Sequence, residues 1–146
     1  MDKPLRDGSN AYTPEAAHEI CQRLAEGETL RAICRDEHLP ARSTVHLWVV
    51  YDIQGFADQY ARAREIGCDE IADETIEIAD DGSNDWMEDN DPDNPGYRQN
   101  GEHIQRSRVR IDTRKWYLGK MSKRYRDKPE ENTDSTTEII LRDAPD

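Results

Sequence analysis

Apolar residues recur at every third or fourth position in the first part of the chain, which predicts three short helices. The first helix is predicted to begin after Thr13, whose hydroxyl can cap it, and to end at Gly27. A second helix is predicted from about Glu28 to His38, and a third begins with Ser43 as its N-cap. The predicted inward positions are Ala17, Ile20, Cys21, Leu24, Leu30, Ile33, Cys34, Val45, Trp48 and Val49.

These three helices are predicted to form a small bundle over residues 13–54, preceded by a loose polar tail over residues 1–12. The turn between the second and third helices, DEHLPARS, carries proline rather than the usual glycine. Two helices joined by a turn of this kind are typical of the helix-turn-helix unit, whose last helix enters the major groove of DNA. Bundles that only pack can show the same spacing, so DNA contact and a purely structural bundle both stay open.

Two much longer helices are predicted within residues 55–126. The helical spacing of apolar residues runs from about Gly55 to Asp80 and returns from Glu102 to about Lys120. Residues 81–101, between them, are predicted to be an acidic loop rich in Asn, Asp, Gly and Pro. Two consecutive long helices joined in this way pack most simply as an antiparallel hairpin.

The last segment, residues 127–146, is predicted to be a polar linker followed by a short strand centred on EIIL. A lone short strand is stable only when it pairs, so we expect it to pair with the same strand of other copies. The predicted fold class is therefore all-α, with an N-terminal helix-turn-helix bundle, a central long helical hairpin and a short C-terminal β-strand.

The whole chain is acidic, with a formal net charge of -12 and a pI near 4.7, but the second long helix carries the basic stretch RVRIDTRKWYLGKM. The first long helix ends in a stretch with acids and no basic residue. In a hairpin the two charges oppose each other, within the chain or between copies, so we interpret the basic helix as an assembly element rather than a DNA-binding one. Trp116 and Tyr117 point to different faces, so one of them needs a second surface, which indicates a homo-oligomer. The residues assigned to oligomerisation are Asp73, Glu77, Arg108, Arg110, Arg114, Lys115 and Trp116.

Composition narrows the class of protein. Only 34% of the residues are hydrophobic and the mean hydropathy is -1.06, which favours a thin fold or a core completed by other chains. No apolar run is long enough for a membrane helix, and the first residues lack the apolar stretch of a signal peptide. The three cysteines are far apart, which favours a reducing compartment over a disulfide framework. The negative charge argues against a general polyanion binder, so any DNA contact must be local or the sum of many weak contacts.

Two patterns resemble metal sites, and both have a simpler explanation. His18, Cys21, Cys34 and His38 have the spacing of a zinc-ligand set, but the two cysteines already occupy inward positions of their helices. The run from Asp89 to Asn94 alternates oxygen ligands, but it lacks the glycine and the final acid of a calcium loop. No phosphate-binding loop or nucleophile motif is present. We therefore expect no metal, no cofactor and no enzymatic activity.

Three segments, GETLRAICRDEHLPARSTVHLWV, FADQYARAREIGCDEIADETIEIADD and RVRIDTRKWYLGKMSKRYRDK, resemble the small terminase subunits of tailed double-stranded-DNA bacteriophages. The resemblance covers about residues 13–128, and its most specific pieces are RIDTRKW and KRYRDK. It implies a non-enzymatic, homo-oligomeric ring that recognises the packaging site on viral DNA in the host cytoplasm. It also implies that the ring delivers this DNA to the large terminase subunit, the ATPase and nuclease, and regulates that subunit. It further implies that the hairpin builds the ring and that the C-terminal strands form a crown near the large-subunit contact.

With this resemblance, the third helix becomes the candidate recognition helix, and two alternatives stay open. One is a dimeric helix-turn-helix transcription regulator, which needs operator half-sites about one helical turn apart. The other is a structural oligomer whose first bundle binds protein. The candidate DNA-binding residues are Lys3, Arg6, Arg31, Arg35, Arg42, Ser43, Thr44, His46, Leu47 and Tyr51.

Overall fold

The structure is a computed structural model that describes residues 11–128. Within this range the chain is mostly helical and also contains one two-stranded antiparallel sheet. The elements are α1 (Pro14–Ala25), α2 (Leu30–Ile33), α3 (Arg42–Val50), α4 (Phe56–Asp80), β1 (Trp86–Asp89), β2 (Gly96–Gln99) and α5 (Gly101–Met121), with 3-10 turns at Ile53–Gly55 and Lys123–Tyr125.

Helix α1 forms where the sequence predicts it. The Thr13 hydroxyl accepts a hydrogen bond from the backbone N–H of Ala16 at 3.2 Å, and Pro14 occupies the first turn. The chain leaves the helix through Gly27, whose φ of 88° lies in the left-handed region that glycine tolerates. The predicted start and end of this helix are confirmed.

Helices α2 and α3 differ from their predicted bounds. Helix α2 is a single turn that ends before Cys34, because the next residues bond back by short-range turns, as when Asp36 donates to the carbonyl of Ile33. Helix α3 begins at Arg42 with Ala41 as its N-cap and no side-chain cap, so the prediction of Ser43 as the cap is wrong. Burial of Leu39 and Pro40 fixes where the chain enters α3, and this outweighs the local preference of a serine.

The core lies where α1, α2, α3 and the first half of α4 meet. Phe56, the first residue of α4, is fully buried there, and its ring meets that of Trp48 edge to face at 5.5 Å. The ring of Tyr12 also packs edge-on against Trp48, at 5.0 Å. The other buried members of this cluster are Ala17, Ile20, Leu24, Leu30, Ile33, Leu39, Val45 and Ala63.

Helices α4 and α5 pack side by side in opposite directions. Arg64 near the start of α4 contacts Tyr117 near the end of α5, whereas Glu74 farther along α4 contacts Arg114. The apolar spacing predicted for α4 is seen in the structure, since Phe56, Ala63, Gly67 and Ile78 are buried. The contact between the two helices is narrow, because Leu118 is the buried residue that α5 contributes.

Residues 81–101 were predicted to be an acidic loop, but they contain two short strands that the prediction did not include. Strands β1 and β2 form a short antiparallel ribbon in the register Trp86↔Gln99 to Asp89↔Gly96. The carboxylates of Asp89 and Asp91 accept hydrogen bonds from backbone N–H groups two residues onward and so shape its turn. The predicted C-terminal strand lies outside the described residues.

Candidate nucleic-acid interface

The face of α3 that turns away from the core is exposed. Val45 and Trp48 are buried, so the positions between them point outward. Ser43, His46 and Leu47 lie three and four residues apart on this outer side, which continues to Tyr51 at the end of the helix. Leu47 is 51% exposed and Tyr51 is 72% exposed, so apolar surface is offered to solvent together with polar groups.

The other candidate DNA-binding residues fall into three groups. Arg31, Arg35 and Arg42 are exposed, on α2, just after it and at the start of α3. Thr44 is half-buried on α3. Lys3 and Arg6 lie outside the described residues. Burial raises the pKa of the Cys34 thiol, and the positive charge of Arg42 opposes this rise. Arg42 is therefore close to the end of α2.

An ion-pair network holds α1 against the segment after α2. The Arg23 guanidinium donates to both carboxylate oxygens of Glu28, at 2.7 and 2.9 Å, and to Asp36, and it lowers the pKa of Asp36. The His38 ring bonds to Glu19 at 2.9 Å. Glu19, Asp36 and His38 thus come together, but an arginine already satisfies the carboxylates.

The structure does not assemble the four-residue zinc pattern seen in the sequence. Among residues 11–128, the group of metal-ligating side chains that converges is Glu19, Asp36 and His38, which contains neither cysteine. Burial raises the pKa of the Cys21 and Cys34 thiols, so both favour the protonated form rather than the thiolate that binds a metal.

Part of the charge pairing predicted between α4 and α5 occurs within the chain. Arg114 makes two parallel hydrogen bonds to Glu74, at 2.8 and 2.9 Å, and Arg110 lies 3.9 Å from the same carboxylate. Arg114 holds the pKa of Glu74 below its ordinary value, first by hydrogen bonding and then by charge. Positive groups also lie near the acidic end of α4: hydrogen bonds from Ser83 are the main cause of the lowered pKa of Asp81, and the nearby charges of His103 and Arg110 lower it further.

The remaining predicted assembly residues lie on outer surfaces of the hairpin. Arg108 and Lys115 are exposed on α5, and Asp73 and Glu77 are exposed on α4. Trp116 is 64% exposed. Its neighbour Tyr117 is half-buried, and its hydroxyl accepts a hydrogen bond from Arg64 at 3.2 Å. The two rings therefore face different ways, as predicted, and Trp116 is the one without cover in the described chain.

Apolar residues accompany these charges on both helices. Ile66 and Ile76 of α4 are more than half exposed, as is Val109 of α5. The outer face of α4 is thus acidic with two isoleucines, and the outer face of α5 is basic with a valine and a tryptophan. We call these the acidic face (Ile66, Asp73, Ile76, Glu77) and the basic face (Arg108, Val109, Lys115, Trp116).

Comparison with known proteins places this arrangement in a family. A family profile described as "Bacteriophage Sf6, terminase small subunit-like" matches residues 12–132. The chain belongs to this family. Crystal structures of three single-substitution variants of the terminase small subunit gp1 of the bacterial virus Sf6 are similar, each with 36% identity over 82% of this chain. The match covers 81%, 85% and 81% of those chains, with TM-scores of 0.61, 0.60 and 0.61. A search of curated proteins found no match.

In this member of the terminase small-subunit family, the segment after α5 makes contacts with α4 that were not predicted from the sequence. After α5, the chain turns back onto α4, where Arg124 bonds to Glu65 at 3.1 Å and to Asp69 at 2.9 Å. The Tyr125 hydroxyl donates to Asp69 at 2.7 Å and is the main cause of the lowered pKa of that carboxyl. The basic run KRYRDK was visible in the sequence, but its partners on α4 lie more than 50 residues earlier, so the sequence did not show which acids it would contact.

Within residues 11–128, no helix is both long enough and apolar enough to cross a membrane.

Proposed function

We propose that this chain is the DNA-recognition subunit of a phage packaging terminase, acting as a homo-oligomeric ring and an adaptor rather than an enzyme. Membership of the terminase small-subunit family supports the packaging role. The observation that carries the DNA-recognition part is the exposed outer side of α3, held in place by Val45 and Trp48 in the core. In this proposal residues 13–54 are a helix-turn-helix unit and α3 enters the major groove.

Each candidate residue has a role set by its chemistry. Arg31, Arg35 and Arg42 neutralise phosphates, and Lys3 and Arg6 of the tail do the same. Ser43, Thr44 and His46 offer hydrogen-bonding groups to base edges, and Leu47 offers apolar contact to a thymine methyl group. Tyr51 lies at the end of α3, where its hydroxyl can reach the phosphate backbone of the DNA. A chain of net charge -12 binds weakly as one copy, so a ring is needed to multiply the contact.

A gel-shift titration of packaging-site DNA against shuffled DNA of the same length tests this role. We expect Arg42→Ala to weaken binding and to lower the slope of log affinity against log salt by about 0.9, because one phosphate contact is lost. Arg106→Ala is the charge-matched control, since Arg106 is exposed on the distant α5. Equal loss in both variants would mean that binding depends on total charge rather than on α3.

We further propose that the ring forms when the acidic face of one copy packs against the basic face of the next. The two faces differ, so the contact is head-to-tail, and a head-to-tail contact that closes gives a ring. Burial of Trp116, Ile66 and Ile76 supplies the apolar part of the contact. Pairing of Arg108 and Lys115 with Asp73 and Glu77 sets its register.

The mass of the purified protein, by light scattering or native mass spectrometry at two salt concentrations, tests the ring. We expect a single large closed oligomer for the wild type and smaller species for the double variant Arg108→Glu/Lys115→Glu. The matched control is Arg31→Glu/Arg35→Glu, which should keep the mass and lose DNA affinity. A wild-type dimer would instead favour the transcription regulator.

The C-terminal segment, residues 127–146, is proposed to complete a crown or to contact the large terminase subunit. Its strand, within Thr137 to Asp146, lies beyond the described residues, so the proposal is carried by the family alone. Co-purification with the large terminase subunit tests it. A chain truncated after residue 128 should lose the large subunit and keep DNA binding, whereas retained co-purification would exclude this segment as the contact.

A further inference from the structure

The ribbon of β1 and β2 has one face that bears aromatic and acidic groups together. Side chains alternate along a strand, so Trp86 and Glu88 share a face, and so do their cross-strand partners Gln99 and Tyr97. Trp86 and Tyr97 occupy diagonal positions on that face, with Glu88 directly opposite Tyr97. We call these four residues the aromatic face of the ribbon.

This face is uncovered in the described chain. Trp86 is 60% exposed and Tyr97 is 75% exposed, whereas Met87 on the opposite face is half-buried. Two large aromatic side chains on one small surface are typical of contact sites, since each presents a rigid apolar body with a polar tip. A two-stranded ribbon that packs against nothing is also marginally stable in water, so a partner that covers it would stabilise it.

The ribbon is attached to the hairpin at its base. The backbone N–H of Asn100 donates to the carbonyl of Asp85 at 2.7 Å, and the His103 ring bonds to the Asp85 carboxylate at 3.2 Å. No helix of the described chain packs along the strands to more than a marginal extent. The ribbon therefore projects from a fixed base, which suits a docking element.

Charge decides which chemistry fits this face. Residues 81–101 hold six acidic residues and one basic residue, Arg98, and His103 lies just after them at the base of the ribbon. Nucleic acid is excluded as an occupant because its phosphates would be repelled. A guanidinium group is favoured, because it can stack on an indole or phenol ring while it pairs with the neighbouring carboxylate. The acidic residues are Asp81, Asp85, Glu88, Asp89, Asp91 and Asp93.

We propose that the aromatic face is a docking site for an arginine-bearing basic segment of another protein. A second copy of this chain is a poorer occupant, because the chain as a whole is acidic, with a formal net charge of -12, and two of its exposed basic residues, Arg108 and Lys115, are already assigned to the ring contact. In that one respect the inference rests on the proposed function. It does not depend on whether α3 binds DNA.

The test is a titration of the full-length protein with a fluorescein-labelled nona-arginine peptide, followed by anisotropy. We expect Trp86→Ala/Tyr97→Ala to weaken binding roughly tenfold, since two stacking contacts are lost without a change in charge. Trp86→Phe/Tyr97→Phe should restore most of the affinity. Glu88→Gln should weaken binding more than Glu70→Gln, a charge-matched change at an exposed position of α4. Nona-lysine should bind more weakly than nona-arginine, because an ammonium cannot stack as a plane.

Other outcomes overturn the proposal in distinguishable ways. Unchanged binding by Trp86→Ala/Tyr97→Ala, or equal binding of the two peptides, would show that only diffuse negative charge attracts the peptide. An equal loss of peptide affinity in Glu88→Gln and Glu70→Gln would also show that only diffuse negative charge attracts the peptide. A change in oligomer mass in Trp86→Ala/Tyr97→Ala would identify a second copy as the occupant. The ring itself is tested by the wild-type mass, so failure of the ring proposal is seen separately.

Discussion

Replacing Gly67 with alanine tests the close approach of α1 to α4. Gly67 is buried in the middle of α4, and a Cβ built on it would lie 2.1 Å from the carbonyl oxygen of Leu24 in α1. That oxygen belongs to the backbone, so it cannot rotate away as a flexible side chain would. To reach an ordinary carbon–oxygen separation of about 3.3 Å, the two helices must move apart by roughly 1 Å.

Two opposing effects set the size of the change. Alanine favours a helix over glycine by about 1 kcal/mol, which by itself would stabilise α4. Overpacking typically costs about 1–3 kcal/mol, and a backbone clash lies at the upper end because separation of the helices also loosens the contacts of Ile20 and Leu24. We therefore expect Gly67→Ala to lower the free energy of unfolding by about 2 kcal/mol. The melting temperature should fall by roughly 6 °C for a chain of this size.

The assay is thermal and urea unfolding followed by far-UV circular dichroism at a fixed protein concentration, because the stability of an oligomer depends on concentration. Gly119→Ala in α5 is the matched control, since its Cβ would meet the Tyr125 carbonyl oxygen at an ordinary 3.7 Å. This control should gain up to about 1 kcal/mol from helix propensity. If Gly67→Ala were as stable as the wild type or more stable, the close approach of α1 to α4 would be refuted.

Two further substitutions test the core and the hairpin. Phe56→Ala should lower the free energy of unfolding by about 3–5 kcal/mol in urea unfolding, because a fully buried ring is lost, whereas Tyr51→Ala at an exposed position should change it by less than about 0.5 kcal/mol. Glu74→Gln should remove a pH dependence of the free energy of unfolding. Because Arg114 lowers the pKa of Glu74 in the folded state, the ionised carboxylate stabilises the wild type above the ordinary pKa of 4.5, and this stabilisation is lost as pH falls through the folded-state pKa. Urea unfolding over a series of pH values from 7 downward should show a difference between wild type and variant that is full at pH 7 and shrinks as pH falls below 4.5, and a difference that does not change with pH would rule out the ion pair as its cause.

The long elements of this fold were predictable from the sequence. Thr13 and Pro14 mark the start of α1, and the 3–4 spacing that starts at Phe56 locates α4 within one residue of its predicted start. These signals are local, since a cap or an apolar stripe acts over one or two turns of chain. The family followed from three quoted segments, and the profile match over residues 12–132 confirms it.

The short elements were less predictable, because their bounds depend on contacts with the rest of the chain. Helix α2 stops after one turn and α3 starts at Arg42 because Leu39 is buried between them. The ribbon was not predicted because acidic and turn-forming residues dominate residues 81–101 and because neither of its short strands alternates apolar and polar residues. Which residues bind DNA stays a prediction, since exposure of the α3 face permits contact without demonstrating it.

The sequence by itself determined the acidic balance of the chain, the helices α1, α4 and α5, and the acidic and basic segments whose opposite charges suggested pairing. Only the tertiary structure decided which charges pair within residues 11–128 and which of the described side chains stay exposed. Arg114 reaches Glu74 across 40 residues, and Arg124 reaches Asp69 across 55, while Trp116 is left exposed. The physical reason is that a charge pattern fixes only the sign of an interaction, whereas partner choice depends on the rotation and register of packed helices, which the core sets.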